Sequence, residues 1–61
     1  MPFINVKMLS GRSAEQKRAL VEALTAAMVD TCGADKDGTT VVIEEYERAH
    51  WAKGGVLISD R

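Results

Sequence analysis

A disulfide needs two cysteines, and this sequence has one, Cys32. No internal bridge can close the chain on itself. It also has a single histidine, His50. That excludes a structural zinc site on one chain, since such sites take four nitrogen or sulfur ligands. An excess of charge of one sign is missing too, with 8 Lys+Arg against 9 Asp+Glu and a formal net charge of -1. No basic patch stands out for nucleic acid. No apolar run approaches the ~20 residues a membrane span requires. The start, Met1-Pro2-Phe3-Ile4-Asn5-Val6-Lys7, lacks the basic leader and long apolar stretch of a signal peptide, so a cytoplasmic protein is expected.

What is present is a short, apolar, nearly neutral chain of 61 residues, 46% of them hydrophobic. Disorder is not expected at that composition, and residues 1–61 read as a single domain. A chain of this size buries only ~60% of the surface its unfolded form exposes, and usually needs a staple, a metal or a partner. With the first two excluded, self-association is the expected route to a complete core.

Pro2 to Leu9 alternates, with Ile4, Val6 and Met8 on one face and Phe3, Asn5, Lys7 and Leu9 on the other. This reads as a strand whose outer face is only partly polar, hinting at a second packing surface. Gly11-Arg12-Ser13 is a turn, Ser13 is placed to cap a helix, and Gln16 completes a capping-box spacing. The helix is expected over Ser13 to Cys32, with Leu20, Ala23, Leu24, Ala27, Met28 and Thr31 as its buried stripe and Lys17, Arg18, Glu22 and Asp30 off it. Gly33 suits the residue that ends it. Thr39 to Tyr46 reads as a strand with apolar residues on both faces, as a doubly covered strand has. Glu47 to His50 is expected to turn, and Gly54-Gly55 before Val56-Leu57-Ile58 predicts a short hairpin. The result is an α/β fold: one right-handed βαβ unit with parallel strands, plus a C-terminal hairpin, completed by oligomerisation.

The usual catalytic sets are absent: no GxSxG, no P-loop, no zinc spacing. Cys32 closes the helix and reads as an inert packing residue. His50 reads as a surface or packing residue, and Glu44, Glu45 and Glu47 as solvated surface. Pro2 is the exception. A small residue after the initiator permits removal of Met1, and proline qualifies. The chain then begins with a secondary amine, and an α-amine titrates near ~8, well below lysine. Burial or a nearby cation lowers an amine's pKa further. A base of that strength suits proton abstraction next to a carbonyl. If Met1 stays, the nitrogen is an amide and no base. On composition alone, a proline that merely starts a strand is the plainer reading.

Further residues shift that balance. Met1-Pro2-Phe3-Ile4, Leu9-Ser10-Gly11-Arg12-Ser13, Glu15-Gln16-Lys17, Val41-Val42-Ile43-Glu44-Glu45 and His50-Trp51-Ala52-Lys53-Gly54-Gly55 occur in fixed order over the whole length. In these pieces the chain resembles the 4-oxalocrotonate tautomerase (2-hydroxymuconate tautomerase) family. The resemblance implies that Pro2 is the general base of a cofactor-independent keto–enol tautomerisation. It implies that Arg12 binds a substrate carboxylate and that Trp51 lines an apolar pocket. Leu9, Thr40 and Lys53 then fall at further substrate-binding positions. It also implies a homohexamer, a site built from more than one subunit, a 2-oxo acid or dienol substrate and a place in aromatic hydrocarbon catabolism. One departure stands out: well-studied members carry a second arginine where this chain has Thr40, and an apolar residue where it has Lys53. A mono-acid is therefore expected to suit the site better than a diacid. Two alternatives stay open at this point. One is a proline-based hydratase, dehalogenase or decarboxylase of the same superfamily. The other is a non-catalytic member that assembles or binds small acids.

Overall fold

The computed structural model describes residues 2–61. The expected processing at Met1 lies outside the described residues. β1 runs over Phe3–Leu9, α1 over Ala14–Cys32 and β2 over Thr40–Tyr46. Two-residue strands β3 (Ala52–Lys53) and β4 (Val56–Leu57) follow. Short 3₁₀ turns at Lys36–Gly38, Arg48–His50 and Ile58–Asp60 make the connections and the C-terminus. β1 and β2 pair in parallel across the helical crossover, and β3 and β4 form the antiparallel hairpin. The expected βαβ unit with a C-terminal hairpin is what the chain adopts.

Local chemistry explains each boundary. Ser13 caps α1: the Gln16 N–H donates to its Oγ at 3.1 Å, and its own N–H donates to Gln16 Oε1 at 2.9 Å. Such a reciprocal box is worth about 1 kcal/mol. Gly33 turns left-handed (φ 67°) and ends the helix, its N–H donating to the Val29 carbonyl. Gly54 and Gly55 both have positive φ (61° and 80°), which a two-residue turn between twisted strands demands.

The register is Phe3↔Thr40 through Leu9↔Tyr46. It places Ile4, Val6, Met8, Val41, Ile43 and Glu45 on the sheet face that α1 covers. Phe3, Asn5, Lys7, Leu9, Thr40, Val42, Glu44 and Tyr46 share the opposite face. The helix is rotated relative to the expected stripe. Leu20, Leu24 and Met28 are half-buried as expected, but Ala23, Ala27 and Thr31 are exposed. Lys17, Val21, Thr25 and Val29 take part instead. Lys17 belongs to the covered side because its Nζ reaches Glu45 Oε1 at 2.8 Å. Cys32 is exposed rather than packed.

Among the described residues no side chain is fully buried. The accessible surface is 4600 Å², where a compact monomer of this mass would show about 3,900 Å². The radius of gyration is 14.5 Å, against about 10.5 Å for a compact domain of this length. The long dimension is 42 Å, beyond the roughly 28 Å of α1 and 23 Å of either long strand, so the hairpin extends past the sheet. Phe3, Val56 and Leu57 are 64%, 43% and 36% exposed. No helix among the described residues is long and apolar enough to cross a membrane.

A chain with no interior should not persist folded as a monomer. At micromolar concentration it is expected to sediment at several times its 6.6 kDa, and its unfolding midpoint should rise with protein concentration. A stable folded monomer in light scattering would contradict this.

Candidate active site

Pro2 precedes β1, where its lack of an N–H costs the ladder nothing. Its carbonyl accepts from the Thr40 N–H at 3.0 Å, so Pro2 and Thr40 mark the same end of the sheet. Thr40 is exposed and uncharged.

Leu9, Arg12 and Trp51 gather at the other end. Leu9 pairs with Tyr46 in the register. The chain then leaves β1 through Ser10, whose N–H donates to the Tyr46 carbonyl at 2.9 Å and whose Oγ donates to the same oxygen at 3.3 Å. The Arg12 guanidinium reaches back to the Leu9 carbonyl with a long 3.5 Å contact. The ion pairs among the described residues are Lys7–Glu44 and Lys17–Glu45. Arg12 thus has no carboxylate partner and its fork is open to an anion. Trp51 meets Tyr46 edge-on, with centroids 6.0 Å apart and planes at 65°. The Trp51 carbonyl accepts from the Ile58 N–H at 2.8 Å, which joins the indole's backbone to the hairpin. Lys53 lies further out in β3, exposed, its carbonyl accepting from Arg61 Nη2 at 2.8 Å.

Within one chain the sequence-predicted residues therefore form two groups. Pro2 and Thr40 stand at one end of the seven-residue strands and Leu9 at the other, roughly 20 Å away, with the Arg12 turn and Trp51 on the Leu9 side. Proton transfer needs heavy atoms within roughly 3 Å. One chain's Pro2 cannot serve a ligand held by its own Arg12.

Around the second group, Asn5, Lys7 and Tyr46 were given no site role from the sequence. Glu44, expected as solvated surface, gathers three donors. Asn5 Nδ2 donates to Oε1 at 2.6 Å, while Lys7 Nζ (3.0 Å) and the Tyr46 hydroxyl donate to Oε2. These bonds, the Tyr46 one first and then those of Asn5 and Lys7, hold the Glu44 carboxyl down at about 2. Lys7 is raised in return, chiefly by Glu44. The signal was the alternation itself, since residues 5, 7, 44 and 46 share a face once the parallel register is known. An open groove of 450 Å³ runs along α1 from Val21 to Asp30, with Lys36 at its rim, and holds none of these residues.

Comparison with known proteins agrees with this architecture. Residues 2–61 match the family model described as tautomerase enzyme. A 2-hydroxymuconate tautomerase of Bacillus subtilis is 48% identical over 60 residues, covering 98% of this chain and 97% of its own. The crystal structure of YwhB, a homologue of 4-oxalocrotonate tautomerase, superposes with a TM-score of 0.95 at 47% identity and 98% coverage of both chains. A heterohexameric 4-oxalocrotonate tautomerase from Chloroflexus aurantiacus superposes at 0.92 with 33% identity, covering 98% of this chain and 97% of that one. With the family model spanning nearly every residue and close relatives matching end to end, the chain belongs to the tautomerase family and is an isomerase of the keto–enol type.

Proposed function

We propose that the protein is a cofactor-independent tautomerase of 2-hydroxydienoates or related enols of 2-oxo acids, with the Pro2 amine as its base. The carrying observation is the place of Pro2. It is the first residue matched by the family, and its carbonyl is tied to Thr40 while its nitrogen lies outside the sheet's ladder. Removal of Met1 makes that nitrogen a free secondary amine. The amine takes the enol hydroxyl proton, the oxygen's electron pair forms the carbonyl, and the shifted double bond's electrons take the proton back from the prolinium at carbon. The transfer is redox-neutral and returns the amine unchanged. Arg12 pairs with the substrate carboxylate and stabilises charge on the oxygen. Leu9 and Trp51 exclude water, which strengthens that pairing and favours the uncharged amine.

The separation of the two groups within a chain supports a site shared between copies, with Pro2 and Thr40 from one and Leu9, Arg12 and Trp51 from another. The absence of a buried core supports the same assembly, which we take to be a homohexamer in the cytoplasm. Thr40 sets the finer specificity. It adjoins Pro2 and carries no charge, so the reacting end of a diacid finds no arginine there. A mono-acid enol fits better than a diacid.

Ultraviolet-monitored ketonisation of several enols tests the base. On a non-ionising substrate the rate is expected to rise with pH as the amine loses its proton and to level off above its pKa. Protein that retains Met1, verified by intact mass and matched in oligomeric state, should be inactive with its fold intact. Equal rates in the two preparations would eliminate the amine mechanism.

Arg12→Ala is expected to lower kcat/KM on acid substrates ~10-fold or more, since charge-assisted contacts contribute about 1.5–3 kcal/mol. The melting temperature should hardly move. A sharp loss of stability with kinetics intact would instead make Arg12 structural.

Thr40→Arg places a guanidinium beside Pro2 and is expected to raise efficiency on 2-hydroxymuconate while leaving a mono-acid enol little changed. Equal efficiency on the diacid before and after would show that position 40 does not set this preference.

A further inference from the structure

Three separate contacts converge on Tyr46, a residue to which the proposed mechanism gives no part. Its carbonyl takes both donors of Ser10, the residue from which the Arg12 turn departs. Its ring meets Trp51 edge-on at 6.0 Å. Its hydroxyl donates to Glu44, which Asn5 and Lys7 hold in turn, and Lys7 Nζ lies 3.5 Å from the phenol oxygen and 5.8 Å from the ring centroid. The ring is therefore fixed at both ends, by a charge-assisted hydrogen bond at its tip and by the sheet at its root.

Magnitudes say what this cluster is for. Lys7 and Glu44 are 59% and 37% exposed, and exposed ion pairs contribute little to stability, typically under about 1 kcal/mol. Holding three long side chains in one arrangement costs rotamer entropy that such a pair scarcely offsets. What the cluster does deliver is a single orientation for one aromatic ring, and the group that ring abuts is Trp51. An edge-to-face pair fixes the angle of its partner as well as its distance.

We propose that Tyr46, clamped through its hydroxyl by Glu44, is a positioning residue that sets the Trp51 indole as the water-excluding wall of the site. This deepens the proposed function and rests on the role given there to Trp51. Tyr46 touches no reacting atom in this scheme. It acts through the indole, while its backbone holds the Arg12 turn independently of the side chain.

Tyr46→Phe keeps the ring and removes the clamp. Trp51 is the only tryptophan, so its emission reports the indole alone. In the assembled variant, acrylamide quenching of Trp51 is expected to rise. kcat/KM for 2-hydroxymuconate should fall about three- to ten-fold, the size of one net hydrogen bond. The pH midpoint of the rate should move upward, because a wetter wall no longer disfavours the prolinium. In a Trp51→Ala background the same change should add nothing further. Unchanged quenching in Tyr46→Phe, or equal losses in both backgrounds, would overturn the proposal. Full activity in Tyr46→Phe beside an impaired Trp51→Ala protein overturns the clamp alone. Full activity in Trp51→Ala overturns the role of Trp51 itself, and this proposal with it. Should Tyr46→Phe fail to assemble, Glu44→Ala opens the clamp from its other end with the ring intact, and the same readouts apply.

Discussion

One helix laid across two strands cannot enclose anything. α1 covers a single face of the sheet, and even on that face the apolar residues are only half withdrawn from water. The opposite face carries Phe3, Val42 and Leu9, and there Phe3 is 64% exposed. Hydrophobic burial is the dominant favourable term in folding, and here most of it is left for contacts the chain cannot make with itself. Val56 and Leu57 of the hairpin are likewise exposed, at 43% and 36%.

The same thinness explains the division of the candidate residues. A larger enzyme can bend its chain back so that distant residues meet in a cleft. A two-stranded parallel sheet has only two ends, and its register sends the start of both strands to one and the finish of both to the other. Pro2 and Thr40 are neighbours because both begin strands. Leu9, Arg12 and Trp51 are neighbours because they follow where strands finish. The topology fixes this grouping before any side-chain contact is considered.

Much of this was legible in the sequence because its causes are local. The period of two in residues 2–9, the Ser13/Gln16 box, the stop at Gly33 and the glycine pair at 54–55 each specify their structure within a few residues, and β1, α1 and β2 lie within a residue of their expected bounds. The rotation of α1 was not legible. Ala23 and Ala27 are small enough to face either way, and the expected stripe counted them as inward while Lys17 was placed outside. It is the Glu45 carboxylate across the crossover that draws Lys17 in. On the functional side, Pro2 drew notice because removal of Met1 would free its amine, but its part as a base and that of Arg12 as a carboxylate binder came from the family resemblance. Glu44 and Tyr46 were given no such part, since their meaning depends on which residue of β1 lies opposite, and register between strands separated by a helix is a long-range property.

A chain whose two working ends lie a strand's length apart also divides its genetic faults. Under the shared-site reading, damage at Pro2 spoils only sites to which that copy gives its first residue, and damage at Arg12 spoils only those to which it gives its turn. Two defective alleles of different kinds, expressed together, then assemble some sites with both halves sound. Two alleles damaged at the same end never do. On that reading the length of β1 decides which mutations in this gene can complement one another.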